Sequence, residues 1–167
     1  MSNGRLRGFT YLFVLLFVIW LALTSSLNGQ ELAVGLLISI VLALFLACEY
    51  TGLGFPPFTP VRILFFIFYV FVLLWEIIKA NFDVAYRVVH PKMPIKPGVV
   101  VIKTGLKSDI AKMLLANSIT LTPGTFTLDI IGDRLLIHWI NVKADDIDQA
   151  TKLIGEKFEK YLRVIFK

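Results

Sequence analysis

Cysteine is nearly absent from this 167-residue chain. The single Cys48 excludes a disulfide framework within the chain and any multi-cysteine zinc or iron–sulfur site. Histidine is almost as scarce: His90 and His138 do not stand at metal-ligand spacing, so no metal is expected. Seven prolines and eleven glycines are too few for a repetitive fibrous protein. Neither G-x-x-x-x-G-K-[ST] nor G-x-G-x-x-G occurs, and no cofactor is expected. Charge is thin as well, at 17% of residues against about 25% in soluble domains, while 57% are apolar against about 45–50%. That balance excludes disorder and a purely cytosolic globule.

What charge there is lies unevenly. Residues 1–80 carry four basic groups and three acids, a net +1, whereas residues 81–167 carry 13 and 9, a net +4. No charge interrupts Gly8 to Gln30 or Leu32 to Cys48, and Glu76 alone interrupts Ile63 to Ile78. A spanning helix needs about 20 mostly apolar residues. The expected fold is therefore a membrane protein, with transmembrane helices followed by a small cytoplasmic α+β domain. Residues 1–80 form a membrane domain with three apolar helical segments (9–26, 31–48 and 58–79), residues 81–97 a Pro-rich connector, and residues 98–167 the α+β domain. Arg5 and Arg7 before the first segment imitate a signal peptide. Yet no small-x-small cleavage site follows, and two further apolar segments come later.

Orientation is contested by the chain itself. Lys79, Arg87, Lys92 and Lys96 closely follow the third segment, which places its C-terminal end in the cytoplasm. Three full spans would then leave Arg5 and Arg7 outside. A re-entrant or half-buried first hairpin would relieve this conflict. The side on which Arg5 and Arg7 lie stays open.

The C-terminal part reads as β-α-β-β-α. Val99 to Ile102 is a buried strand. Ser108 is an N-cap for a helix through Ile110, Met113 and Leu114 that fades near Ser118. Pro123-Gly124 turns the chain, and Gly132-Asp133 joins two strands of a hairpin. Pairing outward from that turn sets Ile130 against Leu135, Leu128 against Ile137 and Phe126 against Trp139, all on one buried face. A last helix starts near Asp145, with Ile147, Ala150, Ile154, Phe158, Tyr161 and Ile165 at steps of three and four. A core of about 70 residues is near the lower limit for independent stability, so this domain is expected to lean on something else.

Few residues carry candidate chemistry. Glu76 is the acid within the third segment, and an intramembrane carboxylate is a candidate for proton or sodium handling. It also stands three residues before Lys79, and an i,i+3 ion pair at the interface accounts for it without transport. Glu31 and Glu49 sit at segment ends, where hydrated acids are ordinary. Ser118, Thr120, Thr122, Thr125 and Asp129 form a hydroxyl-rich cluster. A nucleophile needs a base and an oriented partner, and neither is evident, so loop capping is the simpler role. The isoelectric point near 9.4 comes from bases interleaved with acids. Such a pattern suits anionic lipid or acidic protein surfaces better than nucleic acid.

The run from Leu115 to Asp129, LANSITLTPGTFTLD, is more distinctive than composition. It resembles the signature of the E subunit of Mrp-type (also Mnh or Pha) multisubunit cation/proton antiporters. Within it, Asn117, Ser118, Thr120, Thr122, Pro123, Gly124, Thr125 and Asp129 carry the likeness. The resemblance implies an accessory or scaffold subunit in a large prokaryotic plasma-membrane complex, with no catalytic residue and no small-molecule substrate of its own. Ion translocation in such complexes is attributed to the large antiporter-like subunits, the implied partners. The same module occurs in membrane-bound hydrogenases and related sulfur reductases, so Na+/H+ antiport and a respiratory complex are both implied settings. A free-standing membrane-anchored binding module is the alternative. An enzyme using Ser118 to Asp129 is a remoter one.

Overall fold

The computed structural model describes residues 3–52 and 59–167. Residues 53–58, within the stretch Tyr50 to Pro60 whose prolines are expected to break the helix between the second and third segments, and the side chains of Cys48 and Glu49 lie outside the described residues. The chain divides into two compact units, Met1–Phe55 and Pro56–Lys167.

The first unit is a helical hairpin of α1 (Asn3–Thr24) and α2 (Gly29–Gly52). The turn begins at Ser25, whose φ of 49° is the left-handed conformation that commonly ends a helix. Gly35, Ser39, Ala43 and Ala47 are buried at steps of four along α2. Small residues at that spacing let two apolar helices approach closely. Gly35 makes the point directly: a Cβ there would stand 2.3 Å from the Trp20 ring. The Trp20 indole in turn donates to the Glu31 carbonyl at 3.0 Å.

The second unit opens with α3 (Pro60–Val89). Thr59 caps it by accepting from the Arg62 amide at 3.4 Å, and Pro60 occupies the first turn, where its missing N–H costs nothing. The helix runs ten residues past the expected end at 79. Charge alone does not end a helix. Nothing breaks this one until His90, whose conformation is extended ahead of Pro91. An Asp83–Arg87 pair at 2.8 Å supports the added turns. The connector then shortens to residues 90–97 and is pinned at both ends. Arg87 donates to the Pro94 carbonyl, and Lys96 bonds through its backbone to Ile140 and Val142.

Strands β1 (Gly98–Lys103), β2 (Thr125–Ile131) and β3 (Arg134–Trp139) form an antiparallel sheet in the order β1-β3-β2. Helix α4 (Asp109–Leu121) links β1 to β2. After β3 come a single turn α5 (Ile147–Ala150), a π-helical turn (Thr151–Gly155) and α6 (Glu156–Ile165). Ser108 occupies the position before α4, but its side chain makes no capping bond, and α4 continues three residues past Ser118. Asp146 does cap the last helical stretch, accepting from the Gln149 amide at 2.7 Å.

The hairpin register departs from the expected one halfway along. Ile131–Arg134, Ile130–Leu135 and Asp129–Leu136 pair as expected. A bulge at Leu128 then shifts the strand by one, so Phe126 faces His138 and Thr127 faces Ile137. The cause is tertiary. Thr127 donates its hydroxyl to the Ala116 carbonyl of α4 at 3.1 Å, and its amide donates to the Thr120 hydroxyl at 3.2 Å. These bonds draw Thr127 toward the helix. Phe126 and Leu128 consequently point outward, 53% and 48% exposed. The single buried apolar face expected of the hairpin is thus confined to β3, where Leu135 and Ile137 are fully buried.

The core gathers Ile102, Leu115, Ile119, Leu135, Ile137, Phe158 and Leu162 from strands and helices, and α3 inserts Tyr69 into it. Phe158→Ala should lower the unfolding free energy by about 3–5 kcal/mol, the usual cost of emptying an aromatic core site. Phe82→Ala, at a position 73% exposed, should change it by less than about 0.5 kcal/mol. Thermal unfolding of the detergent-solubilised chain measures both, and equal shifts would contradict the core assignment.

Candidate functional site

The distinctive run occupies the junction where α4 passes into β2 through Thr122, Pro123 and Gly124. Helix α4 is held to the core by Leu115, Ala116, Ser118 and Ile119, all buried, while Asn117 and Thr120 face outward. The last carbonyls of a helix have no intrahelical donor, and here hydroxyls supply them. Thr122 and Thr125 both donate to the Ile119 carbonyl at 2.7 Å, and one turn earlier, within the helix, Thr127 adds its hydroxyl to the Ala116 carbonyl at 3.1 Å. Ser118 donates to the Leu114 carbonyl at 2.6 Å. Its one proton is thereby used, so in its short contact with Tyr69 of α3 the phenol is the donor.

Between these hydroxyls lies Pro123-Gly124. Gly124 has φ +92°, and a Cβ there would stand 2.9 Å from Ile140 Cγ2. Its carbonyl accepts from the Ile140 amide at 2.8 Å, which ties the junction to the end of β3. Asp129 is exposed on β2 and accepts from the next amide, Ile130, at 2.7 Å.

Glu76 sits on the face of α3 that meets α6. One carboxylate oxygen is 2.5 Å from Lys79 Nζ, and the other is 2.7 Å from Lys157 Nζ. The Glu76 side chain is only 12% exposed. The i,i+3 partner is legible in sequence. Lys157 is not, because it comes from a helix 81 residues away. Glu76 thus bridges two elements.

Three more anchors escaped sequence reasoning. Tyr69 is an apolar-looking residue of a long apolar run, yet it is buried and tied to Ser118. Glu159 is 5% exposed, paired with Arg163 at 2.7 Å, and it accepts from the Gly105 amide at 2.8 Å. At the end of α3, Arg62 donates to the Lys167 carbonyl at 2.6 Å. The histidines stay apart: His90 ends α3 and His138 is exposed on β3. Among the described residues no group of three or more His, Cys, Asp or Glu could hold a metal ion.

This geometry closes a helix and docks it on another. The model of the Na+/H+ ion antiporter subunit family MNHE matches residues 13–165. The chain belongs to this family. The Na(+)/H(+) antiporter subunit E1 of Staphylococcus epidermidis is 34% identical over 152 residues, covering 91% of this chain and 93% of that protein. The subunit E1 of Staphylococcus aureus strain JH9 is 35% identical over 148 residues, covering 89% and 91%. Among solved structures, a chain of the membrane-bound sulfane sulfur reductase, an archaeal respiratory membrane complex, superposes with a TM-score of 0.84. It is 52% identical and covers 96% of this chain and 99% of that one. This MNHE-family chain is thus a membrane protein with three long apolar helices followed by a small α+β region.

Two outcomes test the site. In a double-mutant cycle on unfolding, Glu76→Ala and Lys157→Ala should show a coupling of about 1 kcal/mol, as a half-buried pair gives. A coupling of zero would remove the bridge. Gly124→Val should strain the junction through both φ and the contact with Ile140, costing on the order of 1–3 kcal/mol. The unfolding midpoint checks this, and Gly132→Val is the comparison, because a Cβ there meets nothing within 4 Å.

Proposed function

We propose that this chain is a non-catalytic scaffold subunit of an Mrp-type ion-translocating membrane complex. Its α+β region faces the cytoplasm and its neighbours are large antiporter-like subunits. The carrying observation is the 52% identity, over nearly the whole of both chains, to a subunit of a respiratory membrane complex. That value exceeds the 34–35% shared with the subunits named for Na+/H+ antiport. The favoured setting is therefore an ion-pumping respiratory complex, such as a sulfur reductase or a membrane-bound hydrogenase, with an antiporter-like module. A dedicated Na+/H+ antiporter is the second reading, favoured by the family's own description.

The run Asn117, Ser118, Thr120, Thr122, Pro123, Gly124, Thr125 and Asp129 is structural on this reading. Its buried hydroxyl protons go to carbonyl oxygens and leave no free nucleophile. Glu76 serves as a bridge between helices, since two ammonium groups hold it in place. Residues 1–80 supply membrane contact and residues 98–167 a cytoplasmic face. Lys79, Arg87, Lys92 and Lys96, close behind the third apolar segment, agree with that side.

The test is a tagged chain expressed in its own host, extracted in mild detergent and analysed by mass spectrometry. Large antiporter-like subunits together with a metal-containing redox subunit are expected to copurify. Antiporter-like subunits alone would establish the second reading, and the chain by itself would overturn both. Glu76→Gln should leave ion transport unchanged once the amount of assembled complex is matched. Loss of transport in normally assembled complex would return Glu76 to an ion path.

A further inference from the structure

Length and hydropathy qualify α3 as a membrane span. Its packing argues otherwise. The α+β region lies against α3 along almost its whole length. Arg62 bonds to Lys167, Tyr69 to Ser118 and Glu76 to Lys157, Phe65 packs on Tyr161, and Val84 lies against Gly124, where a Cβ would stand 3.6 Å from Val84 Cγ2. From Arg62 to Val84 is about 33 Å of helix at 1.5 Å per residue. The hydrocarbon core of a bilayer is only about 30 Å thick. If α3 crossed upright, the flanking region would have to enter the bilayer with it. Residues 98–167 carry 18 charged side chains, ten basic and eight acidic. Several stand on the helix that touches α3, Glu156, Lys160 and Arg163 being exposed there. Such groups are excluded from hydrocarbon unless paired within a cavity.

The opposite face of α3 is apolar and bare. Leu64, Phe68, Phe71, Trp75, Phe82 and Tyr86 are all exposed on it. Lys79, Lys92 and Lys96 are exposed near its C-terminal half, where anionic headgroups would meet them. A helix with one face on a polar body and the other apolar lies in the interface plane.

We propose that α3 lies along the cytoplasmic surface of an anionic bilayer, its bare face in the lipid and its other face on the α+β region. Charge supports this independently. With α1 and α2 the only segments that enter the bilayer, Arg5, Arg7 and the basic residues after Lys79 share one side. The conflict that three spans create with the positive-inside rule disappears. The proposal goes beyond subunit identity, and its tests read topology rather than copurification, so either can fail without the other.

Single cysteines are placed in the full-length Cys48→Ala chain, in membranes of its own host. A membrane-impermeant maleimide should label Asn3→Cys and Lys152→Cys in inside-out vesicles, and neither in intact cells. Because α1 and α2 form a hairpin, Asn3→Cys and Lys152→Cys labelling from opposite sides would mean that α3 crosses, and would overturn the proposal. Spin labels at Leu64→Cys, Phe71→Cys and Ile78→Cys then read depth along the bare face. Neighbouring sites are about 10 Å apart along the helix. Equal and high oxygen accessibility, with equal oxygen-to-nickel ratios, is expected at all three. A graded ratio would indicate a crossing helix. Shielding from both reagents would indicate a protein partner on that face, and either result would overturn the proposal.

Discussion

The seat of α3 on the α+β region governs the rest of the molecule. Three strands and the helices over them form a core close to the smallest that folds alone. It is completed by Tyr69, with Phe65, Val70 and Leu73 packed against it. Polar contacts then set the register. Tyr69 meets Ser118, Glu76 meets Lys157, and bonds from Arg62 and Arg87 pin the two ends of the helix. A helix is a stiff rod, so contacts spread along it leave neither rotation nor sliding free. The same rod presents an uninterrupted apolar surface on its other side. Its residues therefore answer to two environments at once, and the stripe at steps of three and four separates them.

The hydroxyls of the α4–β2 junction look like chemistry in one dimension and like joinery in three. A helix that passes into a strand through only Thr122, Pro123 and Gly124 leaves carbonyls facing inward at the point where the chain turns away. Threonine and serine close that gap without charge. Gly124 lets the turn pass beneath Ile140. Ser118, Thr122, Thr125 and Thr127 of this run thus spend their hydroxyl protons on backbone closure.

Much of the fold is written locally. The apolar segments, the Gly132-Asp133 turn and the β-α-β-β-α order follow from periodicity and turn chemistry, and Gly132 does adopt φ +62°. What stays hidden depends on distant partners. The bulge at Leu128 follows from bonds to Thr120 and Ala116 on a neighbouring helix. Lys157 reaches Glu76 across 81 residues. The true end of α3 could be read from Pro91, the next residue able to stop a helix, but a rise in charge at Lys79 invites an earlier boundary. The stripe of Gly35, Ser39, Ala43 and Ala47 is visible at its spacing, although average hydropathy does not register it.

The bulge gives β2 two frames. Up to Thr127 the strand is in one phase, and from Asp129 onward it is in the other, with Leu128 as the slipped stitch between them. Pairing every residue without that slip would set Thr127 opposite His138, exchange inside for outside over the first half of the strand, and swing Thr127 away from the helix that holds it. Deleting Leu128 would instead leave Thr127 opposite Ile137 in a regular ladder. Length in this strand is therefore information: a single added residue decides which side chains the sheet offers to its surroundings.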